Sequence, residues 1–543
     1  MKFVFVSGGV ISGLGKGIVT ASTALLLKDR GFRVSPVKID MYLNVDAGTL
    51  RPQEHGETFV LKSGLETDQD MGNYERFLNE DLPPENYITT GQIYQEVIRR
   101  ERAFEYEGNT VEAIPHVTSE IARRITLAGT KNDADVVVIE LGGTVGEYQN
   151  GIFFEAARIM KLKNPQDVLH VHVTYLPLIK SVGELKSKPA QTSVHILNSM
   201  GIQPDLIVAR SEVPVDAKRA DKLALFCNIS PEDLILDPDS DSVLDIPLNL
   251  EDQSVVEKIC FKLELKPKSK NLIMPAWKKM VERSKKKEKE VVVGMAVKYF
   301  KSGSFDLADS YVSVVEALKH AGNELGIKIS LNWIDTDQEE IGEDRMKKID
   351  GLIIPQGWGS RGVEGKIKAV QFARENKIPY LGLCFGMQMA VIEFARNVCG
   401  LKNANSEESN PRTKYPVIHI MPDQKKYLAK HQYGGTIRLG SWQAKISKNS
   451  NLYKIYGANT VFERHRHRYE FNNKYKKVLE KAGLKISATS PDGKLVEAIE
   501  IPGHPFFVGT QYHPELQSRP LSPHPIFVGF LKAALEYNKK YDS

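Results

Sequence analysis

The sequence lacks several features that would mark it as a secreted, membrane or nucleic-acid-binding protein. It has only 4 cysteines in 543 residues, and Cys227, Cys260, Cys384 and Cys399 are too scattered for a disulfide framework or a paired-cysteine metal site. No apolar run reaches the roughly 18 residues of a membrane helix, and the N-terminus MKFVFVSGGV lacks a secretory layout. Charge of one sign is also not in excess, because 73 Lys and Arg against 68 Asp and Glu leave only +5. These absences predict a cytoplasmic protein without a dominant nucleic-acid surface.

The composition is that of an ordinary globular chain, with 41% hydrophobic and 26% charged residues. The length corresponds to about three to four units of roughly 150 residues, or to two large α/β domains. A Lys-rich stretch, LKPKSKNLIMPAWKKMVERSKKKEKE, interrupts the pattern and is typical of a solvated linker or an exposed helix. We therefore predict an N-terminal domain over 1–265, a linker over 266–290 and a C-terminal domain over 291–543.

Short β-branched runs alternate with helical patterns on both sides of this stretch. Runs of this kind predict buried strands, and Gly17–Arg30 reads as a helix that stops at Gly31. Such alternation predicts an α/β fold with a doubly wound parallel sheet. The predicted strands are Lys2–Val6, Val34–Ile39, Val136–Leu141, Val168–Val173, Asp205–Ala209, Val291–Val297, Asp350–Pro355 and Pro379–Leu383.

The first strand runs into a Gly-rich loop, GGVISGLGKG, and then into the helix. Glycines allow backbone N–H groups to close around phosphate oxygens, and Lys16 adds a cation for the terminal phosphates. The loop departs from the strict phosphate-loop pattern because Gly17 and Ile18 follow the lysine where a Ser or Thr would bind Mg²⁺. Carboxylates must then hold the metal, and Asp70 and the strand-end Glu140 are the candidates.

A second motif of chemical interest lies in the C-terminal half. Cys384 is flanked by Gly382 and Gly386 in a strand–turn–helix pattern, G-x-C-x-G, which is typical of an exposed nucleophile. A distant H-x-E pair supplies a base, since His513 and Glu515 would point to one side of an extended segment. The carboxylate can then fix the imidazole tautomer while the imidazole activates the thiol.

Taken together, these motifs resemble the CTP synthase family over essentially the whole chain, with a class I glutamine amidotransferase in the C-terminal half. The resemblance implies that ATP phosphorylates O4 of UTP and that ammonia from glutamine then displaces phosphate at C4 to give CTP. It further implies Mg²⁺, activation by GTP, feedback by CTP, and a homotetramer that stacks into filaments in some members. The matching motifs are GGVISGLGKG (8–17), NVDAGT (44–49), TDQDMGNYERF (67–77), IPH (114–116), GGTVG (142–146) and KSKPAQ (186–191).

The resemblance also assigns residues to ligands. It implies an ATP loop of Gly13, Leu14, Gly15, Lys16, Gly17 and Ile18, with Lys16 and Lys38 at the transferring phosphoryl group and Asp70 and Glu140 as magnesium ligands. The implied pyrimidine-nucleotide residues are Ser12, Glu147, Tyr148, Gln149, Lys186, Ser187, Lys188, Pro189, Ala190, Gln191 and Lys222. The implied glutamine residues are Gly357, Phe385, Gly386, Met387, Gln388, Glu408 and Arg466. Arg361 and Arg438 match the family's GTP arginines, and His55 matches its ammonia gate.

Three positions depart from the family pattern. Gln149 replaces a carboxylate in the stretch that contacts the pyrimidine, which predicts altered CTP feedback. Val312 stands where many members have a lysine tied to GTP. Gln356 replaces the first glycine of Pro-Gly-Gly, so a positive φ there would be strained and glutaminase activity would be lower.

Three other interpretations compete with this one. A related phosphate-loop amidotransferase would use another acid or carbonyl substrate, although KSKPAQ and TDQDMGNYERF argue against it. A partitioning-type ATPase switch explains the loop but leaves Cys384, His513 and Glu515 without a role. A polymer-forming structural protein is the third interpretation.

Overall fold

The computed structural model describes residues 1–181, 183–269, 272–287, 289–298, 301–302, 305–306, 308–337, 346, 348–422, 424–430 and 434–541. The chain divides into two compact units. The first comprises Met1–Asp46 and Asp70–Val281, and the second comprises Ala47–Gln69 and Glu282–Ser543. Of the predicted linker, residues 270, 271 and 288 lie outside the described residues, while Met274–Lys285 forms a helix with Trp277 fully buried.

A parallel sheet of seven described strands forms the centre of the first unit. In spatial order the strands are Leu234–Pro238, Leu206–Ser211, Val168–Leu176, Lys2–Gly8, Val136–Leu141, Val34–Asp40 and Tyr87–Thr89. The central strands are buried on both faces and are accordingly almost continuous apolar runs, as in VVVIEL at 136–141. Their carboxyl ends therefore meet at one edge of the sheet, where open α/β sheets bind ligands.

Helices alternate with these strands along the chain. They are Lys16–Asp29, Gln69–Leu78, Thr90–Arg102, Thr118–Lys131, Gly151–Lys163, Lys188–Ser199, Ala217–Phe226, Ile246–Asp252, Val255–Lys262 and Met274–Lys285. Side chains from the helices Thr118–Lys131 and Gly151–Lys163 pack with Phe5, Val37 and Ile139 of the sheet in one apolar core.

The second unit contains a mixed sheet of nine described strands. In spatial order they are Ile327–Asp335, Lys289–Val297, Gly351–Ile354, Tyr380–Leu383, Phe507–Thr510, Val496–Glu500, Lys485–Thr489, Arg438–Ile446 and Thr460–His467. The first five are parallel and the remaining pairings are antiparallel. Leu352 and Ile354 belong to one core and Ile353 to the other, as the two-residue period of a strand requires.

Helices cover both faces of this mixed sheet. The helices that the structure describes in the second unit are Pro52–His55, Val312–Leu325, Val363–Glu375, Phe385–Asn397, Gln424–Ala429, Asn451–Tyr456, Lys476–Lys481 and Pro525–Tyr541. A small additional sheet is formed by Ala404–Ser406, Tyr415–Ile420 and Tyr469–Phe471.

The segment 47–69 packs with the second unit, although residues on both sides of it belong to the first. Its strands Phe59–Val60 and Glu66–Thr67 form a hairpin. The amide of Ser441 donates to the carbonyl oxygen of Lys62 at 3.0 Å, and the Arg464 guanidinium donates to that of Val60, also at 3.0 Å. Both bonds join residues that are far apart in the chain, and one of them is made by backbone groups alone, so the residue pattern did not predict the association.

The predicted α/β fold is confirmed. The observed strands lie within three residues of the predicted ends, and Val136–Leu141 matches at both ends. The helix predicted over Gly17–Arg30 is observed over Lys16–Asp29. The antiparallel half of the second sheet was not predicted. No helix among the described residues is both long enough and apolar enough to cross a membrane.

Candidate active sites

The Gly-rich loop joins the strand Lys2–Gly8 to the helix Lys16–Asp29. Gly15, the last residue before the helix, has a φ of 89°. The helix N-terminus therefore lies at the sheet edge where the parallel strands end. Lys16 is buried and folds back over Gly8, so that a Cβ on that glycine would lie 2.5 Å from its side chain. Burial lowers the pKa of Lys16, while the nearby Glu140 charge opposes that shift.

A cluster of charged side chains lies beside this loop. Lys38 Nζ is 2.5 Å from Asp70 Oδ2 and 2.8 Å from Glu140 Oε1, and the Tyr74 hydroxyl donates to the other Glu140 oxygen. Burial tends to raise the pKa of Asp70, but the charge of Lys38 and its hydrogen bond lower it. Burial and the Asp70 charge raise the pKa of Glu140. The carboxyl edge of the sheet therefore carries two cations, Lys16 and Lys38, and two carboxylates, Asp70 and Glu140.

Gly17 explains why this loop departs from the strict phosphate-loop pattern. A Cβ on Gly17 would lie 2.1 Å from Asp70 Oδ1, so any side chain there would collide with the carboxylate. The carboxylate of Asp70 therefore stands where a Ser or Thr would otherwise reach from the helix. Among the described residues, no group of three or more His, Cys, Asp or Glu could hold a metal by itself. Two carboxylates suit Mg²⁺, which usually keeps waters and phosphate oxygens as its other ligands.

A buried hydrogen-bond chain connects the strand Lys2–Gly8, which leads into the Gly-rich loop, to the helix Lys188–Ser199. Ser7 Oγ lies 2.9 Å from His172 Nδ1, and His172 Nε2 lies 3.1 Å from Ser193 Oγ. Ser193 in turn donates to the carbonyl oxygen of Ala190 at 2.8 Å. Burial lowers the pKa of His172 to about 3, so the imidazole is neutral. Sequence reasoning missed His172 because an apolar strand context does not distinguish such a histidine from a packing residue.

Most of the other predicted pyrimidine residues lie at or near the surface of the first unit, whereas Gln191 is buried. Ser12, Tyr148, Gln149, Lys188 and Lys222 are exposed. Glu147 accepts from the Thr144 amide at 2.8 Å, Lys186 pairs with Glu184 at 2.6 Å, and Gln191 donates to Ser187 at 3.1 Å. Ser187 precedes the helix Lys188–Ser199, with Pro189 in its first turn.

Cys384 occupies a strained turn between the strand Tyr380–Leu383 and the helix Phe385–Asn397. Its φ of 51° and ψ of −95° are unusual for a residue with a side chain, as expected for a nucleophile elbow. Gly386 is needed there because a Cβ on it would lie 2.1 Å from the carbonyl oxygen of Ile354. Gln511 Nε2 donates to the thiol at 3.5 Å.

His513 and Glu515 form a buried pair beside the thiol. Nδ1 of the imidazole lies 2.7 Å from Oε1 of the carboxylate. Burial alone would lower the pKa of His513, but the charges of Glu515 and Cys384 raise it to about 10. The predicted extended segment is wrong, because Pro514–Gln517 forms a 3-10 turn that still brings the two side chains together.

A pocket lies in front of the thiol within the second unit. It is lined by Gln356, Gly357, Trp358, Cys384, Phe385, Gln388, Glu408, Arg466, His467, Arg468, Tyr469 and His513. Of the predicted glutamine residues, Gly386 and Met387 are the two that do not line it, and both lie buried in the helix after the thiol. Burial raises the pKa of Glu408, although its hydrogen bond from the Gly359 amide at 2.7 Å opposes this.

Two arginines line this pocket, and their contacts differ. Arg466 pairs with Glu66 at 2.8 Å and lies over the Trp358 ring at 5.5 Å. Arg468, for which the sequence predicted no ligand role, is buried, and its positive charge opposes the rise that burial causes in the pKa of Glu408. Both arginines lie in the run ERHRHR at 463–468. The structure pairs Arg466 with Glu66, whereas Arg468 donates a hydrogen bond to Thr436 at 3.2 Å.

Two buried lysines lie behind Gly357. The ammonium groups of Lys298 and Lys366 lie 5.0 and 5.2 Å from the centroid of the Phe385 ring. Burial lowers the pKa of Lys298 to about 8 and that of Lys366 well below its usual value. A Cβ on Gly357 would lie 3.1 Å from Lys298. Nothing in the local sequence indicated that these lysines are buried.

The structure gives the predicted GTP and gate residues different surroundings. Arg361 is exposed and pairs with Asp337. Arg438 is buried, donates two hydrogen bonds to Glu497 at 2.8 and 3.2 Å, and stacks 5.2 Å from the Trp442 ring centroid. His55 is exposed at the end of the short helix Pro52–His55.

Comparison with known proteins assigns the chain to a family. The family model for the CTP synthase N-terminus matches residues 2–265, and that for class-I glutamine amidotransferase matches residues 306–533. A curated CTP synthase from Caldanaerobacter subterraneus subsp. tengcongensis is 48% identical over 98% of both chains. The chain belongs to the CTP synthase family. The resemblance found in the sequence is thus confirmed, and like its family the chain is a glutamine-hydrolysing ligase.

Other members of the CTP synthase family are also similar to the chain. A CTP synthase of Methanocaldococcus jannaschii is 48% identical over 98% of each chain. A solved structure titled Trypanosoma brucei CTPS glutaminase domain with bound acivicin is 39% identical, covers 45% of this chain and 94% of its own, and aligns with a TM-score of 0.42.

Proposed function

We propose that the chain converts UTP to CTP by amination at C4, using ATP and the amide nitrogen of glutamine. The observation that best supports this is the pairing of two chemistries on one chain. One is a strained thiol beside the His513–Glu515 pair, and the other is a Gly-rich loop beside Lys38, Asp70 and Glu140. Relatives at 48% identity carry the name CTP synthase over nearly their full length.

In the proposed reaction O4 of UTP attacks the γ-phosphorus of ATP, and ADP leaves. Ammonia then adds at C4, and the phosphate departs with the former O4. Lys16 and Lys38 would neutralise the charge on the transferring phosphoryl group, because such a transition state is stabilised by converging cations. The loop Gly13–Ile18 would hold the ATP phosphates through its backbone N–H groups.

Asp70 and Glu140 are the residues that would hold Mg²⁺. The metal supplies charge neutralisation to the phosphate oxygens when bound. In the structure both carboxylates bond to Lys38, so the cluster already balances anionic oxygens with a cation.

At the thiol site Cys384 would attack the glutamine amide carbon and form a thioester. The His513 imidazolium would donate its proton to the departing ammonia, and water would then release glutamate. The Gly357 amide would face the oxyanion, with Phe385, Gly386, Met387 and Gln388 shaping the pocket. Glu408 would bind the amino group of glutamine and Arg468 its carboxylate. Arg466, which pairs with Glu66, would add a second positive charge to this end of the pocket.

The finer assignments carried over from the resemblance are also proposals. Residues 1–265 are the synthetase domain, 266–290 the linker and 291–543 the glutamine amidotransferase domain. GTP would activate glutamine-dependent CTP formation through Arg361 and Arg438, and CTP would inhibit it. His55 would gate the passage of ammonia. The chain would form homotetramers. The pyrimidine-nucleotide residues are Ser12, Glu147–Gln149, Lys186–Gln191 and Lys222.

Isotope transfer tests the proposed chemistry directly. With UTP labelled with ¹⁸O at O4, the inorganic phosphate released during CTP formation should carry the label. With glutamine labelled with ¹⁵N in its amide, CTP should carry ¹⁵N even in the presence of unlabelled ammonium. Unlabelled phosphate would overturn the O4 phosphorylation, and unlabelled CTP would overturn the use of glutamine nitrogen.

A further inference from the structure

Gln356 lies in the loop after the strand Gly351–Ile354, one residue before Gly357 of the thiol pocket. Its φ is not positive, so the strain predicted for a non-glycine residue at this position is absent. The loss of glycine from the family pattern therefore costs no backbone distortion here. The side chain instead brings a new contact.

The Gln356 side chain is tied to the segment 47–69. Its Nε2 donates to Glu57 Oε1 at 2.7 Å, and Glu57 is 5% exposed. The other carboxylate oxygen accepts from the Ser313 amide at 2.8 Å. A hydrogen bond to a buried carboxylate is short and strong, and is roughly twice as strong as one between neutral groups.

Glu57 also completes the N-terminus of the helix Val312–Leu325. The residue before this helix, Tyr311, makes no side-chain cap, and the Ser313 amide belongs to the first turn. A carboxylate at a helix N-terminus is favoured by the unpaired N–H groups and by the helix dipole. Glu57 is therefore fixed on one side by a helix and holds Gln356 on the other.

This bond acts on the peptide that carries the Gly357 amide. The N–H of Gly357 and the carbonyl of Gln356 belong to one planar unit, so restraining residue 356 restrains the direction of that N–H. Gln356 lines both the thiol pocket and a second cavity lined by Pro52, Glu57, Ser310 and Tyr311. Glycine at this position could make no such bond.

We propose that Gln356 is a positioning residue, held by Glu57, that directs the Gly357 amide toward the oxyanion formed when Cys384 attacks glutamine. The inference rests on the glutaminase activity proposed above. Losing an oxyanion donor outright lowers kcat by about 10²–10³. Releasing a donor that stays nearby should cost less, about 10-fold, and should affect kcat more than KM.

The positioning role of Gln356 is tested by measuring glutamate release by the full chain. The variants are Gln356→Ala, Gln356→Gly, Gln356→Glu, and a double variant that exchanges the amide and the carboxylate between positions 356 and 57. The first two variants should each lose about 10-fold in kcat, whereas Gln371→Ala, which breaks an exposed Gln–Glu bond of 3.0 Å, should keep the wild-type rate. Gln356→Glu should lose more near pH 8 and recover as pH falls, because two adjacent carboxylates must share a proton.

The double variant Gln356→Glu with Glu57→Gln should recover to within about 3-fold of the wild-type rate, because the amide at position 57 can donate to the carboxylate at 356 and still accept from Ser313. Wild-type rates in the alanine and glycine variants, or no recovery in the exchange, would overturn the inference alone. A wild-type chain that released no glutamate would overturn the proposed glutaminase function and the inference together.

Discussion

Replacing Glu515 by glutamine removes the charge that holds the His513 imidazolium and leaves a hydrogen-bond acceptor of the same size. The imidazole and the carboxylate lie 2.7 Å apart, and both are buried. A hydrogen bond to a charged group is worth about 1.5–3 kcal/mol. The neutral glutamine still accepts a hydrogen bond worth about 0.5–1.5 kcal/mol, so the net loss of about 1–1.5 kcal/mol corresponds to a decrease of about 5- to 10-fold in glutaminase kcat.

The same substitution should move the pH profile. The Glu515 charge raises the pKa of His513, which is about 10, so removing it lowers that pKa. The step that protonates the departing ammonia needs the imidazolium and is lost as pH rises through the pKa. The alkaline limb of glutamate release should therefore shift to lower pH in Glu515→Gln.

The assay is glutamate release between about pH 6 and pH 10, with ammonium-dependent CTP formation measured in parallel on the same preparation. Glu463→Gln is the matched control, because His524 Nε2 and Glu463 Oε1 form another buried pair at 3.0 Å whose residues do not line the thiol pocket. An unshifted alkaline limb with wild-type kcat in Glu515→Gln would refute the assigned role. An equal decrease of glutaminase kcat in Glu463→Gln would show that the effect of Glu515→Gln arises from disturbed folding and not from catalysis.

Four further substitutions test the roles assigned to residues of the two sites. Cys384→Ala should abolish CTP formation from glutamine and keep that from ammonium within about 2-fold, and an equal loss of both would contradict separate sites. Asp70→Ala should lower CTP formation from both nitrogen sources by at least about 10-fold if the carboxylate serves the shared phosphoryl step as proposed, and full turnover would contradict that role. Arg468→Met should raise the KM for glutamine about 10-fold or more without changing the KM for ammonium, as measured by initial rates. Arg466→Met should have the smaller effect on that KM because its partner is Glu66, and the reverse order would contradict the assignment.

Local sequence predicted the elements whose residues carry their own signal. Val136–Leu141 is β-branched and buried on both faces, and Cys384 is flanked by glycines that the tight turn requires. The thiol, His513 and Glu515 were predicted together, although the local backbone is a 3-10 turn and not an extended strand.

The features missed depend on contacts between distant parts of the chain. The hairpin 59–67 contacts Ser441, Arg464 and Arg466, which are far away along the chain, so no local pattern predicts these contacts. Lys366 reads as a surface lysine on a helix, yet it is fully buried over Phe385. The residue type of Gln356 alone suggested a strained backbone at this position. Its observed φ is not positive, and its side chain gains a hydrogen bond to Glu57, so that expectation was wrong.

In the proposed reaction one chain uses two sites to aminate UTP. The most direct test is CTP formation from UTP, ATP and Mg²⁺ with either glutamine or ammonium chloride, each with and without GTP. We expect CTP from both nitrogen sources, with GTP increasing the glutamine-dependent rate. No CTP from either source would contradict the proposed reaction. CTP from ammonium alone, even with GTP, would contradict the proposed role of Cys384, His513 and Glu515.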